Sequence, residues 1–369
     1  MTHQPRILEV VHSFGIGGSE LFGVELGRRL VESGVHVLCG ALNGAPGPLR
    51  ARCAEYGIEV VDLEVPWHNP LGRNGLSIGL VRRLQALRLD AVHLQHFLAL
   101  NKLGLPARLA GIPRVLLTEH SVFDVDQSRA GRLRARLGWR LATSVTVIHQ
   151  SIKDYLCRSI AIPPERIEVI PVGIELGRFH RRDRAECRAR LGIGTEMVFI
   201  FSGRLAPVKN VPVIVAAFLA VMSRRTLPAR LMVVGDGECR GACEELIRSH
   251  FRGAQVTLTG EEADVRPFLA AADVFVLHSS TEGTPRSLLE AMAMGVPGIC
   301  PAVGGIPEIL NDRGWLTRPN DQASLEAAME FAVDHPAQVA ALDEPCRAYV
   351  RAHFDAERIS QRYHAILTG

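Results

Sequence analysis

Short β-branched runs alternate with helix-length segments along almost the whole of this chain, and that alternation constrains its fold more than any other feature. Runs at 6–12, 35–41, 58–63, 90–95, 114–119, 144–149 and 166–170 are separated by helical patterns such as 19–33, 76–88 and 129–142. Strands that alternate with helices pair in parallel, and a parallel sheet needs helices on both faces. After a basic, polar stretch at 178–190 the rhythm restarts, with strand-like runs at 197–202, 230–235, 255–259, 273–278 and 296–300. At 369 residues and 47% hydrophobic, the chain has material for two cores. The expected fold is α/β: two doubly wound domains, 1–176 and 177–350, facing across a cleft. A terminal segment, 351–369, carries Ile359, Tyr363, Ile366 and Leu367 at helical spacing and reads as a docked helix.

Charge excludes some partners. The 42 Lys and Arg nearly balance 39 Asp and Glu, so the net charge of +3 gives no reason to expect nucleic acid, and any anion site must be local. Eight scattered cysteines, of which Cys239 and Cys243 are the closest, lack the Cys-x-x-Cys spacing of zinc or redox sites and read as free thiols in a reducing cytosol. The start of the chain lacks the pattern of a secretory leader. The apolar run 211–222 contains Pro212 and falls short of the roughly 20 residues of a bilayer span. A cytoplasmic protein is expected.

In open α/β sheets ligands bind beyond the carboxyl ends of the strands, so the turns there hold the candidates. The first reads Gly15-Ile16-Gly17-Gly18-Ser19-Glu20. Glycines let backbone approach a ligand and a helix start favours an anion, so Gly17 and Gly18 are candidates for phosphate approach, with a plain tight turn as the alternative. A dinucleotide fingerprint would need glycine where Glu20 stands. In the second half, Arg204 and Lys209 flank a strand-end turn, and a guanidinium fork with a compact ammonium suits a diphosphate, although either cation alone is commonly a solvated loop charge. The strongest signal is 282–292, Glu-Gly-Thr-Pro-Arg-Ser-Leu-Leu-Glu-Ala-Met. Thr284 suits an N-cap and Pro285 the first helical position, so a helix should open beside Arg286 and Ser287 with its positive end toward a ligand. Glu282 and Glu290 are then about 9 Å or more apart along it. Two carboxylates with an anion-binding helix start between them match a diol, a diphosphate and a polyol in line, the layout of a nucleotide sugar.

The order Gly17-Gly18, Arg204 and Lys209, Gly235-Asp236-Gly237, Glu282 and Glu290 in Glu-x7-Glu spacing, and Gly304-Gly305-Ile306-Pro307-Glu308 resembles the retaining family 4 of GT-B glycosyltransferases over nearly the whole chain. The resemblance implies an acceptor-binding first domain, a donor-binding second domain and a last helix that crosses back to the first. It implies that Arg204 and Lys209 meet the diphosphate, Glu290 the ribose diol and Glu282 the sugar hydroxyls. The run 117–121 resembles the family's Thr-x-His turn, which implies that His120 lies near the donor sugar; a strand-end histidine bonded to backbone is the plainer alternative. At 171–175, Val172 and Glu175 stand where many relatives have Asn and Asp, a departure that bears on the linker.

Together these readings predict a retaining, metal-independent hexosyltransferase without a cofactor, taking a nucleotide sugar such as a UDP-sugar to a glycan or lipid-linked acceptor in polysaccharide or glycoconjugate synthesis. Asp124-Val125-Asp126 matches the Asp-x-Asp of metal-dependent GT-A enzymes but lies in the acceptor half and reads as a solvated loop. Arg132, Arg134, Arg136 and Arg140 alternate with Leu133, Leu137 and Trp139 in a basic amphipathic helix, suited either to solvent or to an anionic membrane surface. The rival readings are a GT-B-shaped sugar nucleotide epimerase and an inactive partner subunit. The second should have lost some of His120, Arg204, Lys209, Glu282 and Glu290, and all five are present.

Overall fold

The computed structural model describes residues 3–65, 77–121, 128–225 and 228–369. The chain forms two compact α/β units, one made of Met1–Gly173 with Glu357–Gly369 and the other of Ile174–Ala356.

The first unit is built on seven parallel strands: β1 (Arg6–Val11), β2 (His36–Ala41), β3 (Glu59–Val61), β4 (Ala91–Gln95), β5 (Arg114–Glu119), β6 (Ser144–Val147) and β7 (Ile167–Val169). Their order is β3-β2-β1-β4-β5-β6-β7. The chain therefore moves outward from β1 in one direction, then returns to start β4 on its other side, with Arg6 opposite His36 and Ile7 opposite Ala91. That reversal is the switch point at which open α/β sheets bind ligands. The closing helix, Ala356–Thr368, packs on this unit with Tyr363 and Leu367 buried, and is tied by ion pairs from Arg29 to Glu357 (3.2 Å) and from Arg362 to Glu168 (2.6 Å).

The second unit holds β8 (Met197–Ser202), β9 (Ala229–Val234), β10 (Val256–Gly260), β11 (Val274–Val276), β12 (Gly298–Pro301) and β13 (Gly314–Thr317), in the order β10-β9-β8-β11-β12-β13, with its switch point between β8 and β11. The helix Val211–Arg224 that follows β8 buries Val211, Ile214, Val215, Phe218, Val221 and Met222 in the core. Its apolar composition reflects packing inside a globular unit. The crossing segments of the chain lie side by side: Ile174 donates its N–H to the Phe354 carbonyl (2.7 Å) and bridges Asp355.

Three local expectations are corrected. The basic stretch 178–190 contains a helix, Arg184–Arg190, capped by Asp183, whose carboxylate accepts the Glu186 N–H at 3.0 Å. The strand β13 has no counterpart among the predicted runs; it takes its register from β12, with Gly298 opposite Gly314. The helix predicted over 129–142 ends at Gly138, and Trp139 is buried in a following turn. Asp124 and Asp126 lie outside the described residues.

Candidate active site

In the second unit the turns after β8, β9, β11 and β12 interlock, and glycine makes this possible. Gly203 (φ 148°) donates its N–H to the Val234 carbonyl at 3.0 Å, and a Cβ on Gly235 (φ 134°) would lie 2.0 Å from the Gly203 oxygen. Gly304 (φ 55°) faces the turn after β11: a Cβ there would stand 1.8 Å from the Glu282 carbonyl oxygen, while Gly305 donates to the Gly283 carbonyl at 2.9 Å. No other residue type fits this approach.

The turn thus clamped presents Glu282. Its Oε1 accepts from Lys209 Nζ at 2.5 Å and from the Ser279 hydroxyl at 2.6 Å. Lys209 closes a short turn that ends in Asn210, whose side-chain amide donates to the His278 carbonyl at 3.2 Å. Lys209 and Glu282 are therefore brought together as a charge pair, where the sequence assigned them to separate parts of a ligand. Such a pair presents one ammonium and one free carboxylate oxygen, donor beside acceptor, suited to a phosphate and a hydroxyl in sequence. Arg204, five residues earlier, is exposed, and its guanidinium has no hydrogen-bond or ion-pair partner among the described residues, although its carbonyl accepts the Ala206 N–H at 2.9 Å.

The helix after Glu282 spans Arg286–Ala293. Thr284 does not cap it. Pro285 occupies the N-cap position and its carbonyl accepts the Leu288 and Leu289 N–H groups at 3.1 and 3.3 Å. Pro285 has a helix-compatible φ of −69° but an extended ψ of 103°, so the chain turns helical only after it. The N–H groups of Arg286 and Ser287 consequently have no acceptor among the described residues, and they form the electropositive start of the helix. Glu290 lies on the same helix, partly buried; burial pushes its carboxyl up to about 7, against the pull of Arg286 and Arg178.

The first unit holds His120 just past β5. Its ring Nε2 is 2.5 Å from Gln95 Oε1, and its backbone N–H donates to Glu119 Oε1 at 3.0 Å. Burial, then the nearby His96, His93 and His149, holds the imidazole well below its ordinary pKa, so it is neutral. Phe22, from the helix Gly18–Glu32, meets its ring edge-on at 5.2 Å. Gly17 is the N-cap of that helix, and the Glu20 carboxylate folds back over it, 2.1 Å from where a Cβ would be; Gly18 is open, with nothing within 4 Å of its Cβ position. Both glycines and His120 thus belong to the first unit, and all the other candidates to the second. Sequence reading missed Ser279, Gln95 and Glu9. Ser279 bonds Glu282 three residues on in the same turn, whereas no local pattern marks Gln95 and Glu9, because their partners come from other strands.

The first half matches the family model described as Glycosyltransferase Family 4, over residues 16–178, and the second the model described as Glycosyl transferases group 1, over 196–335. The chain is 26% identical to the N-acetyl-alpha-D-glucosaminyl L-malate synthase of Bacillus anthracis, over 95% of this chain and 93% of that protein. It is 28% identical to the UDP-Gal:alpha-D-GlcNAc-diphosphoundecaprenol alpha-1,3-galactosyltransferase of Escherichia coli, over 70% of each. Its fold is similar to that of a glycosyltransferase from Rickettsia africae (TM-score 0.84, 18% identity, 99% and 98% of the two chains). It is likewise similar to Anabaena HepE, solved with UDP and glucose (TM-score 0.79, 20% identity, 99% and 100%).

Proposed function

Because the chain belongs to the family 4, group 1 glycosyltransferases, which its two units match in turn, we propose that it moves a hexosyl group from a nucleotide diphosphate sugar, with retention and without a metal, onto a glycan or lipid-linked acceptor. The observation that carries the reading is the Lys209–Glu282 pair beside the free N–H groups of Arg286 and Ser287, with Glu290 farther along the same helix. Lys209, Arg204 and the helix start would take the charge that develops on the leaving diphosphate; this is catalysis by positioning and charge stabilisation. Glu290 would take the ribose diol and Glu282 the sugar hydroxyls. Thr284 and Pro285 shape the turn between them. The relatives named as transferases favour this over a sugar nucleotide epimerase.

The first unit supplies His120 and, at the carboxyl ends of β2 and β3, a cavity of about 410 Å³ lined by Asn43, Asp62 and Glu64 among others, whose oxygens suit a polyhydroxylated acceptor. The helix Arg129–Gly138 exposes Leu133 (58%) and Leu137 (65%) beside Arg136, a face suited to the headgroup zone of an anionic membrane and so to a lipid-linked acceptor on the cytoplasmic side. Turnover of a nucleotide sugar series with candidate acceptors, with and without EDTA, tests the proposal. Transfer that persists in EDTA supports it. Loss of turnover in EDTA, restored by manganese, refutes the metal-free reading and returns attention to Asp124 and Asp126.

A further inference from the structure

The first unit contains a buried polar chain that sugar binding does not by itself require. Glu9 on β1 is 1% exposed, and His93, Gln95, Thr118 and Thr146 are equally enclosed. Parallel register places Glu9 opposite His93, Gln95 opposite Thr118 and Thr118 opposite Thr146, so all five project from one face of the sheet. A carboxylate so deeply buried must have its lone pairs taken. Glu9 Oε1 accepts from Gln95 Nε2 at 2.5 Å and Oε2 lies 2.8 Å from His93 Nδ1. His93 Nε2 is 2.6 Å from the Thr118 hydroxyl, itself 2.7 Å from that of Thr146.

The donor directions start at the Glu9 carboxyl. The Glu9 carboxyl takes the NH₂ of Gln95 on Oε1 and faces His93 Nδ1 with Oε2. With its NH₂ committed, Gln95 turns its oxygen to His120, and His120 must donate from Nε2. Its Nδ1 is left as a lone pair with no partner among the described residues. Two features protect this order. The helix Gly18–Glu32 has glycine at position 23, where a Cβ would lie 2.9 Å from Glu9 Oε1 and 3.4 Å from Gln95 Nε2. Tyr363, from the closing helix, lies against both His93 and Phe22, with ring centroids 5.5 Å from each. Glu119, meanwhile, fixes the backbone, accepting from the N–H groups of His120, Ser121 and Phe97.

We propose that Glu9, acting through Gln95, is a positioning residue that locks His120 in its Nε2–H tautomer, so that His120 meets a substrate hydroxyl as a hydrogen-bond acceptor through Nδ1. The part concerning substrate rests on the reading of His120 given above; the tautomer lock does not. The imidazole then receives a hydroxyl proton in a hydrogen bond and transfers none, which suits a polyol ligand and excludes a role as general acid.

The test uses the full chain labelled with 15N-histidine, with His120 assigned by the signals lost in His120→Gln. The wild type should show His120 as a single Nε2–H tautomer at neutral pH. Glu9→Gln supplies an amide with a donor arm, so Gln95 is released to turn over. The His120 nitrogens should then move toward tautomer averaging, and kcat should fall on the order of 10- to 100-fold, taken by analogy from the loss of an outer partner that orients a metal-bound imidazole. Binding of free nucleoside diphosphate should not change. Gln95→Met, which cuts the link and leaves Glu9 with His93, should give the same spectrum. The exchanged pair Glu9→Gln with Gln95→Glu keeps one carboxylate among the same donors and should restore the Nε2–H form. A wild-type His120 in the Nδ1–H form, or a spectrum and kcat unmoved by Glu9→Gln, overturns the relay. A tautomer that moves while kcat stays constant upholds the relay and overturns the substrate-facing role of His120.

Discussion

Glu290 offers a quantitative handle on the donor site, because burial sets its titration near neutrality. Its carboxyl titrates at about 7 where an unburied glutamate has 4.5. If the ribose diol needs the carboxylate as a double acceptor, donor affinity must follow the ionised fraction, about one-tenth at pH 6 and nine-tenths at pH 8, a rise of roughly tenfold. The intact nucleotide sugar is the ligand of choice for calorimetry, since its diphosphate diester does not titrate in this range. Glu290→Gln, always neutral, should bind the donor weakly and with no such rise. The stability effect has the opposite sign. Because the folded-state pKa is raised, the protonated form favours the fold; that contribution is fully present below about pH 4.5 and is lost as pH rises through 7. Above pH 7, Glu290→Gln should therefore be more stable than the wild type by at most on the order of 3 kcal/mol, and the difference should vanish in acid. Parallel pH dependence of donor binding in the two proteins would show that Glu290 does not hold the diol as an anion.

Other expected outcomes are equally specific. The Arg204 guanidinium is exposed and unpartnered among the described residues, so Arg204→Ala should leave thermal unfolding unchanged while lowering kcat about a hundredfold or more, the scale of a lost oxyanion donor; an unchanged kcat would make it an ordinary surface cation. Gly304→Ala forces a Cβ to 1.8 Å from the Glu282 carbonyl oxygen. It should cost about 1–3 kcal/mol in denaturant unfolding and weaken donor binding as the Glu282 turn shifts. If the helix Arg129–Gly138 meets anionic lipid, the chain should float with anionic vesicles and lose the association as salt rises; equal flotation of an Arg132, Arg134, Arg136 triple-alanine variant discards that surface.

How far each element could be read in advance depended on where its stabilising partners lie. β5 and β8 are found where their residues predict, at Arg114–Glu119 and Met197–Ser202, because a run of buried apolar residues needs no outside cue. The helix Arg184–Arg190 was hidden: its sequence is mostly charged, only Cys187 is buried, and it is held by Arg188 pairing with Asp273, 85 residues away. The strand Gly314–Thr317 was hidden too, being four residues long and defined by its pairing with β12.

The site divides in the same way. The sequence alone determined the two-unit α/β plan and the Glu282 and Glu290 spacing, because these are matters of local periodicity and of residues on one turn and helix. Only the tertiary structure decided that Lys209 pairs with Glu282 across 73 residues, that Gly304 closes on the same turn, and that Glu9 meets Gln95 across 86 residues and through it His120. The reason is the reversal of strand order, which sets β4 against β1 and β11 against β8. Local propensity acts over three or four positions, whereas the partners of a buried charge are chosen by which strands become neighbours.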